Sequence, residues 1–301
     1  MTQIVAAIGP GFLMQASDRL VSLAPSLRPY DPNANKSLIL GAVDGVALIG
    51  YTGLAYIDGR PTDQWIAETL TGLDLSMGAV AIGVWHRFHD QPLHLMIDRL
   101  AKAFEVALKP HPEHDHQVLV VGWTYKPTGS RPTSYIRRMD WRGGIWSVRR
   151  IGSRLRPHDR QFWVLTVPHL SKAQMAPLVD AISGWEYAAG FDSIEAELAE
   201  FVRGVNRPGV GPDVLSIIVT WHDFPPRARV RFAPAGRFEE SFSPWVITPA
   251  GIEPPSAECG GPEGITSYGR LDVETVGIPR PSDSGTLLSV RPMPRIPPPS
   301  R

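Results

Sequence analysis

The feature that most constrains this chain is the apolar stretch near its start, Ile4–Met14, broken in the middle by Pro10-Gly11. Proline cannot donate to a ladder and glycine enters turn conformations freely, so the pair reads as a turn between two short strands, Gln3–Ile8 and Phe12–Ala16. The stretch also has about the length of a secretion-signal core and is followed by the small residues Ala16 and Ser17. No Lys or Arg precedes it, and the Pro10-Gly11 break has no place in such a core, so a hairpin is the expectation. With 301 residues the chain can bury one large core or two modest ones.

Further short strands are expected at Lys36–Leu40, Gly45–Gly50 and Leu54–Ile57, rich in Val, Ile and Leu and punctuated by glycine. A helix follows with Pro61 near its first turn, Thr62 or Asp63 as cap, and Trp65, Ile66 and Leu70 on its apolar side. Leu93–Leu108 has the clearest helical period: Leu93, Ile97, Leu100, Ala101, Phe104 and Leu108 share a face, with Asp98, Arg99, Lys102 and Glu105 largely off it. Strands resume at Val118–Trp123, Ser134–Trp141, Ile145–Ile151 and Gln161–Val167. Helical stretches follow at 171–189 and 193–205, then a buried strand at Val214–Trp221. Strands, helices, strands, helices, strand is not an alternating βαβ order, so the class expected is α+β with antiparallel sheets flanked by helices. After Asp223 the texture changes. Ala228–Phe232 and Trp245–Ile247 suit short strands, Pro and Gly crowd 253–264, and the last 26 residues hold seven prolines. The expected division is a main domain over 1–221, a small irregular or β extension over 222–275, and a flexible proline-rich tail over 276–301.

Thirty basic and thirty acidic residues cancel, so no net field draws the chain to nucleic acid or anionic membrane. A single cysteine, Cys259, excludes an internal disulfide, suits a reducing compartment and supports a cytoplasmic location. Apolar stretches such as Met77–Trp85 are too short to span a bilayer.

Thr2 stands sixteen positions before Asp18 and thirty-four before Lys36, and Gly50 follows Lys36 by fourteen, inside "GVALIGYTG". A nucleophile needs a base, a cation that keeps the base deprotonated, and N–H groups aimed at the developing oxyanion. An N-terminal threonine supplies nucleophile and base together, because an α-amine titrates at about 7.7–8.0. Removal of Met1 before so small a residue would expose Thr2.

On "TQIVAAIG", "QASDRLVS", "NKSLIL" and "GVALIGYTG" the chain resembles the proteasome β-subunit family. It is similar too to the family's bacterial relative, the peptidase of a two-component ATP-dependent protease. These are N-terminal-nucleophile (Ntn) hydrolases. The resemblance covers roughly residues 2–221 and is densest over the first 60. It implies a four-layer αββα sandwich, with Thr2 as nucleophile, its free amine as general base, Lys36 lowering the pKa of the reacting pair, Asp18 holding Lys36, and the Gly50 N–H serving the oxyanion. "VLVVGW", "PTSYIRRMDWRGG" and "RRIGSRL" match the family's paired strands and Gly-Ser element, which carries Ser153; Ser171 is its rival. The family's Asp-x-x-Ser-Gly element near its last helix has no counterpart in "FVRGVNRPGVGPDVLS", where Asp213 falls several positions late. The implied activity is hydrolysis of peptide or amide bonds without metal or organic cofactor, in a homo-oligomer with a possible ATPase partner. A catalytically inactive proteasome-like assembly or binding protein is the alternative.

Six of nine histidines lie between His86 and His116, but without a metal-ligand spacing such as HExxH, so a solvated loop is expected rather than a metal site. Nine arginines fall within 131–160, interleaved with Tyr135, Trp141 and Trp146. Their alternation suits exposed faces of antiparallel strands better than a nucleic-acid surface. The stretch 186–200 is acidic without a basic residue, so pairing of it with the arginine-rich region between subunits is an expectation.

Overall fold

The structure is a computed structural model that describes residues 2–9, 11–23, 26, 28–31, 34–75, 91–125, 132–151, 163–183, 190–205, 209–220, 227–233, 241–242, 244–249, 251–253, 257–258 and 265–270. The chain is mixed α and β. One six-stranded sheet runs, in spatial order, Trp163–Val167, β1 (Ile4–Gly9), β2 (Phe12–Asp18), Val214–Thr220, Arg227–Ala233 and Ile265–Arg270. A seven-stranded sheet runs Ile145–Arg150, Thr133–Arg142, His116–Thr124, Gly45–Thr52, Ser37–Ala42, Val246–Thr248 and Gly251–Glu253. Neighbours are antiparallel except for Val246–Thr248, which lies parallel to Ser37–Ala42. The helices are α1 (Thr62–Thr71), α2 (Leu93–Leu108), α3 (Lys172–Ser183) and α4 (Asp192–Gly204).

Among the described residues, three apolar clusters account for the packing. Ile4, Ala6, Ile8 and Leu13 meet Ile39, Leu48, Val121 and Trp123 of the other sheet. Val5, Ala7, Phe12, Met14 and Ala16 meet Leu178 and Ile182 of α3 and Ile194, Leu198 and Val202 of α4. On the far side, Leu38, Leu40, Ile49, Val118 and Val120 pack under Trp65, Ile66 and Leu70 of α1 and Leu100 and Phe104 of α2. Every residue of β1 and β2 is therefore buried, on both faces, which is why they read as a continuous apolar run rather than an alternation. Glu195 of α4, buried, accepts from Ser216 Oγ (2.5 Å) and Arg229 Nη2 (2.6 Å), fastening the helix to two strands of that sheet.

Helix α2 begins and ends where its period predicts, and α4 spans Asp192–Gly204. The capping expectation at α1 is corrected: Pro61 occupies the N-cap without a side-chain cap bond, while Thr62 Oγ1 donates to the Leu54 carbonyl (2.8 Å) and Asp63 is buried in the first turn. The strands beyond residue 221 join both sheets: Arg227–Ala233 and Ile265–Arg270 extend one, Val246–Thr248 and Gly251–Glu253 the other. The tail 276–301, Cys259, Ser153, His86, His89 and Met77–Trp85 lie outside the described residues. Among the described residues no helix is long and apolar enough to cross a membrane.

Candidate functional site

Thr2 precedes β1, Asp18 ends β2, and Lys36 sits one residue before the strand Ser37–Ala42 of the opposing sheet. The two sheets thus bring the positions together at one end of their shared core. Lys36 Nζ donates to Asp18 Oδ2 (2.9 Å) and to the Leu20 carbonyl (2.5 Å). Asp18 accepts three backbone N–H groups as well: Gln3 on Oδ1 (2.7 Å), and Leu20 and Gly211 on Oδ2 (3.2 Å each). The Asp18 N–H in turn donates to the Gln3 carbonyl (3.2 Å), so the residue after Thr2 is held to Asp18 in both directions. Thr2 is 7% exposed, Asp18 0% and Lys36 3%.

Taking an ion pair out of water costs several kcal/mol per ion unless the remaining lone pairs and protons are satisfied. For Asp18 they are, by four donors. Among the described residues Lys36 has two acceptors for three protons, which leaves one N–H to offer. Burial pushes the Lys36 ammonium below its ordinary pKa, and the Asp18 carboxylate opposes that shift.

Gly50 pairs with Ser37, the residue after Lys36, and with Leu119. The Tyr51 N–H donates to the Lys36 carbonyl (3.1 Å), so the alternation of the ladder turns the Gly50 N–H the other way, toward the strand carrying Leu119. A Cβ at Gly50 would stand 2.1 Å from Gln15 Nε2 and 3.1 Å from Ile4 Cδ1. Gln15 Nε2 donates to Ser37 Oγ (2.8 Å), and Ser17 Oγ lies 3.2 Å from the same hydroxyl. Gln15, Ser17 and Ser37, all fully buried, are a polar floor beside Lys36 that the spacing argument missed. Its signal in the sequence is a Gln and a Ser at alternate positions of an otherwise apolar strand.

Where the resemblance calls for an Asp-x-x-Ser-Gly element, this chain brings backbone. Gly211 gives its N–H to Asp18, and the Asp213 carbonyl accepts the Arg19 N–H (3.2 Å). A Cβ at Gly211 would come within 2.6 Å of Leu20 Cβ, so only glycine fits there without displacing the segment that supplies Leu20. Gly211→Ala is expected to lower stability by about 1–3 kcal/mol through overpacking, read as a fall in the urea midpoint at constant slope. An unchanged midpoint would show that the segment moves aside freely. Ser171 does not join this group; exposed, it accepts from the Gln174 N–H (3.3 Å) at the start of α3.

The other chemistry-bearing features lie elsewhere. His116 is buried beside Phe104 and Tyr51 and accepts the Leu54 N–H on Nδ1 (3.2 Å); desolvation pushes its pKa down to about 3. Arg137 pairs with Asp98 (3.6 Å) and Arg138 with Asp140 (3.0 Å), while Arg142, Arg149 and Arg150 are exposed on the hairpin Thr133–Arg150.

No protein-family model and no curated protein matches the chain. Among solved structures it is similar to "Anbu (Gly-1) mutant" from Hyphomicrobium sp. strain MC1, at 14% identity and TM-score 0.44, over 73% of this chain and 82% of that one. It is similar too to "Anbu (ancestral beta-subunit)" from Yersinia bercovieri, at 13% identity and TM-score 0.44, over 72% of this chain and 82% of that one. At those values neither neighbour informs the chemistry of this chain.

Proposed function

We propose that this chain is a hydrolase of amide or peptide bonds whose nucleophile is Thr2, freed by removal of Met1, on a four-layer αββα framework of the Ntn type. The observation that carries the reading is the buried Lys36–Asp18 pair, whose carboxylate also grips the N–H of the residue next to Thr2. In the proposed reaction the Thr2 Oγ–H gives its proton to the α-amine while Oγ attacks the substrate carbonyl carbon. The tetrahedral intermediate collapses as the amine returns that proton to the leaving nitrogen, and the C–N bond breaks. A water then loses a proton to the same amine, attacks the acyl ester, and Oγ leaves as it regains the proton. Lys36 directs its remaining N–H and its charge at the reacting oxygen, and Asp18 fixes where that charge stands. Gly50 is left out of the proposed machinery, because the ladder turns its N–H toward the strand carrying Leu119 and away from Lys36. Assembly as a homo-oligomer and supply by an ATPase partner belong to this reading.

The absence of the Asp-x-x-Ser-Gly element favours the second reading, a catalytically silent binding or assembly protein. Peptide mass spectrometry after treatment with an electrophile that traps N-terminal threonines separates the two. Loss of Met1 with one adduct on Thr2, absent in Thr2→Ala, is the expected result. A chain that keeps Met1, or an exposed Thr2 that stays unmodified in the assembled protein, would mean the silent reading is correct.

A further inference from the structure

We infer that the loop His111–His114, between α2 and the strand His116–Thr124, is a binding site for one zinc(II) ion, independent of the proposal for Thr2. The sequence shows no standard spacing here, yet the chain fold brings one ligand atom each of His111, Glu113 and His114 within 4.8 Å of one another. His114 Nε2 lies 3.2 Å from Glu113 Oε1, and His111 Nδ1 lies 4.0 Å from the same oxygen. Ligands held at about 2.0–2.2 Å from a tetrahedral zinc stand about 3.3–3.5 Å apart. One edge of the tetrahedron is therefore already at length, and a shift of His111 of under about 1 Å closes the second.

The donor set selects the ion. Two imidazoles with one carboxylate suit borderline transition ions, whereas calcium and magnesium take oxygen ligands throughout. Three protein ligands leave a fourth position for water, and the half-exposed side chains (31%, 60% and 41% for His111, Glu113 and His114) give an entry path.

The loop is also built to hold its ligands. The His111 N–H donates to the Leu108 carbonyl (2.9 Å) and the His114 N–H to the His111 carbonyl (3.2 Å). The indole of Trp141, itself buried, donates to the same His111 carbonyl (3.1 Å). Pro110 and Pro112 fix φ on either side of His111, so little chain entropy remains to be lost on binding. A plain Glu113–histidine ion pair on a surface would contribute about 0–1 kcal/mol and needs none of this scaffolding.

The test is calorimetric titration of untagged full-length protein, stripped with a chelator and then dialysed free of it, using zinc chloride, with metal content measured after gel filtration. One zinc per chain is expected. His111→Ala/His114→Ala should lower the affinity at least about 100-fold and Glu113→Gln about 10-fold, with the melting temperature of the metal-free protein unchanged. His94→Ala, on the exposed side of α2, should leave binding as it is. If the double variant does not fold, His114→Gln alone serves in its place. No saturable binding, or one-per-chain binding that survives loss of these histidines, would overturn the site.

Discussion

Asp18→Ala should destabilise the protein by about 3–5 kcal/mol, because it strands an ammonium at a position 3% exposed with, among the described residues, only the Leu20 carbonyl left to receive it. Lys36→Met should cost less, since Asp18 would keep the N–H groups of Gln3, Leu20 and Gly211. The double variant Asp18→Ala/Lys36→Met removes both charges and should recover most of the loss of Asp18→Ala, as replaced buried pairs commonly do. Urea unfolding of the four proteins reads the cycle directly. Equal small losses in both single variants, with no coupling, would mean that the pair is solvated and that its charge is not focused at the front of the chain. The reaction proposed at Thr2 gives a second readout. Every member of the cycle lacking Lys36 should lose about 10²–10⁴ of the trapping rate, including the refolded double variant, because a methionine offers neither N–H nor charge. Recovery of stability without recovery of rate is the outcome that distinguishes a chemical role from a structural one.

Asp63 should contribute stability that is lost as pH rises from about 4 to about 6, against the opposite contribution of His116, whose pKa burial holds down near 3. Asp63 is 5% exposed in the first turn of α1, and burial pushes its carboxyl up from 3.8 to about 6. Bonds from the Gln64 and Asp63 N–H groups and from Trp245 oppose the rise, and the nearby charge of Asp31 adds to it. Tyr51, whose own pKa is raised, faces the same carboxyl and stays neutral throughout this range. A group whose folded pKa lies above its unfolded one contributes stability that is fully present below the unfolded pKa and is lost through the folded pKa. A rise of about two units corresponds to about 3 kcal/mol, lost between about pH 4 and pH 6. Asp63→Asn keeps an acceptor and has no proton to lose, so its stability should exceed that of the parent at pH 7 and not at pH 4. Urea midpoints at the two pH values check this; parallel pH profiles for the two proteins would rule out Asp63 as the source.

What could be read from the sequence was whatever local pattern dictates. The Pro10-Gly11 break divides two strands as expected, and the apolar period of Leu93–Leu108 sets α2 at both ends. The spacing of Asp18 and Lys36 also carried real information, since the two meet at 2.9 Å from opposing sheets. What stayed hidden depends on partners far along the chain. Nothing near Gly211 announces that its N–H will serve a carboxylate 193 positions earlier. The Ser17–Ser37 floor is likewise a product of two sheets facing each other, not of either strand alone. At Pro61 the competing facts were local but misleading: Thr62 and Asp63 are good caps, yet both are drawn inward, Thr62 to the Leu54 carbonyl and Asp63 to a hydrogen bond with the Trp245 side chain.

The parallel strand Val246–Thr248 also bears on the order in which this molecule comes into being. Ile39 donates its N–H to the Trp245 carbonyl (2.9 Å), and Asp18 waits for Gly211. Both partners are made late by a ribosome that has long since released Thr2, Asp18 and Lys36. The front of the protein is therefore synthesised well before its partners: until residues 211 and 245 have been made, the lysine strand has an open edge and the carboxylate lacks a donor. Timing of that kind keeps the Lys36–Asp18 arrangement unfinished on every nascent chain shorter than this, and leaves a sheet edge open to other nascent chains for the duration.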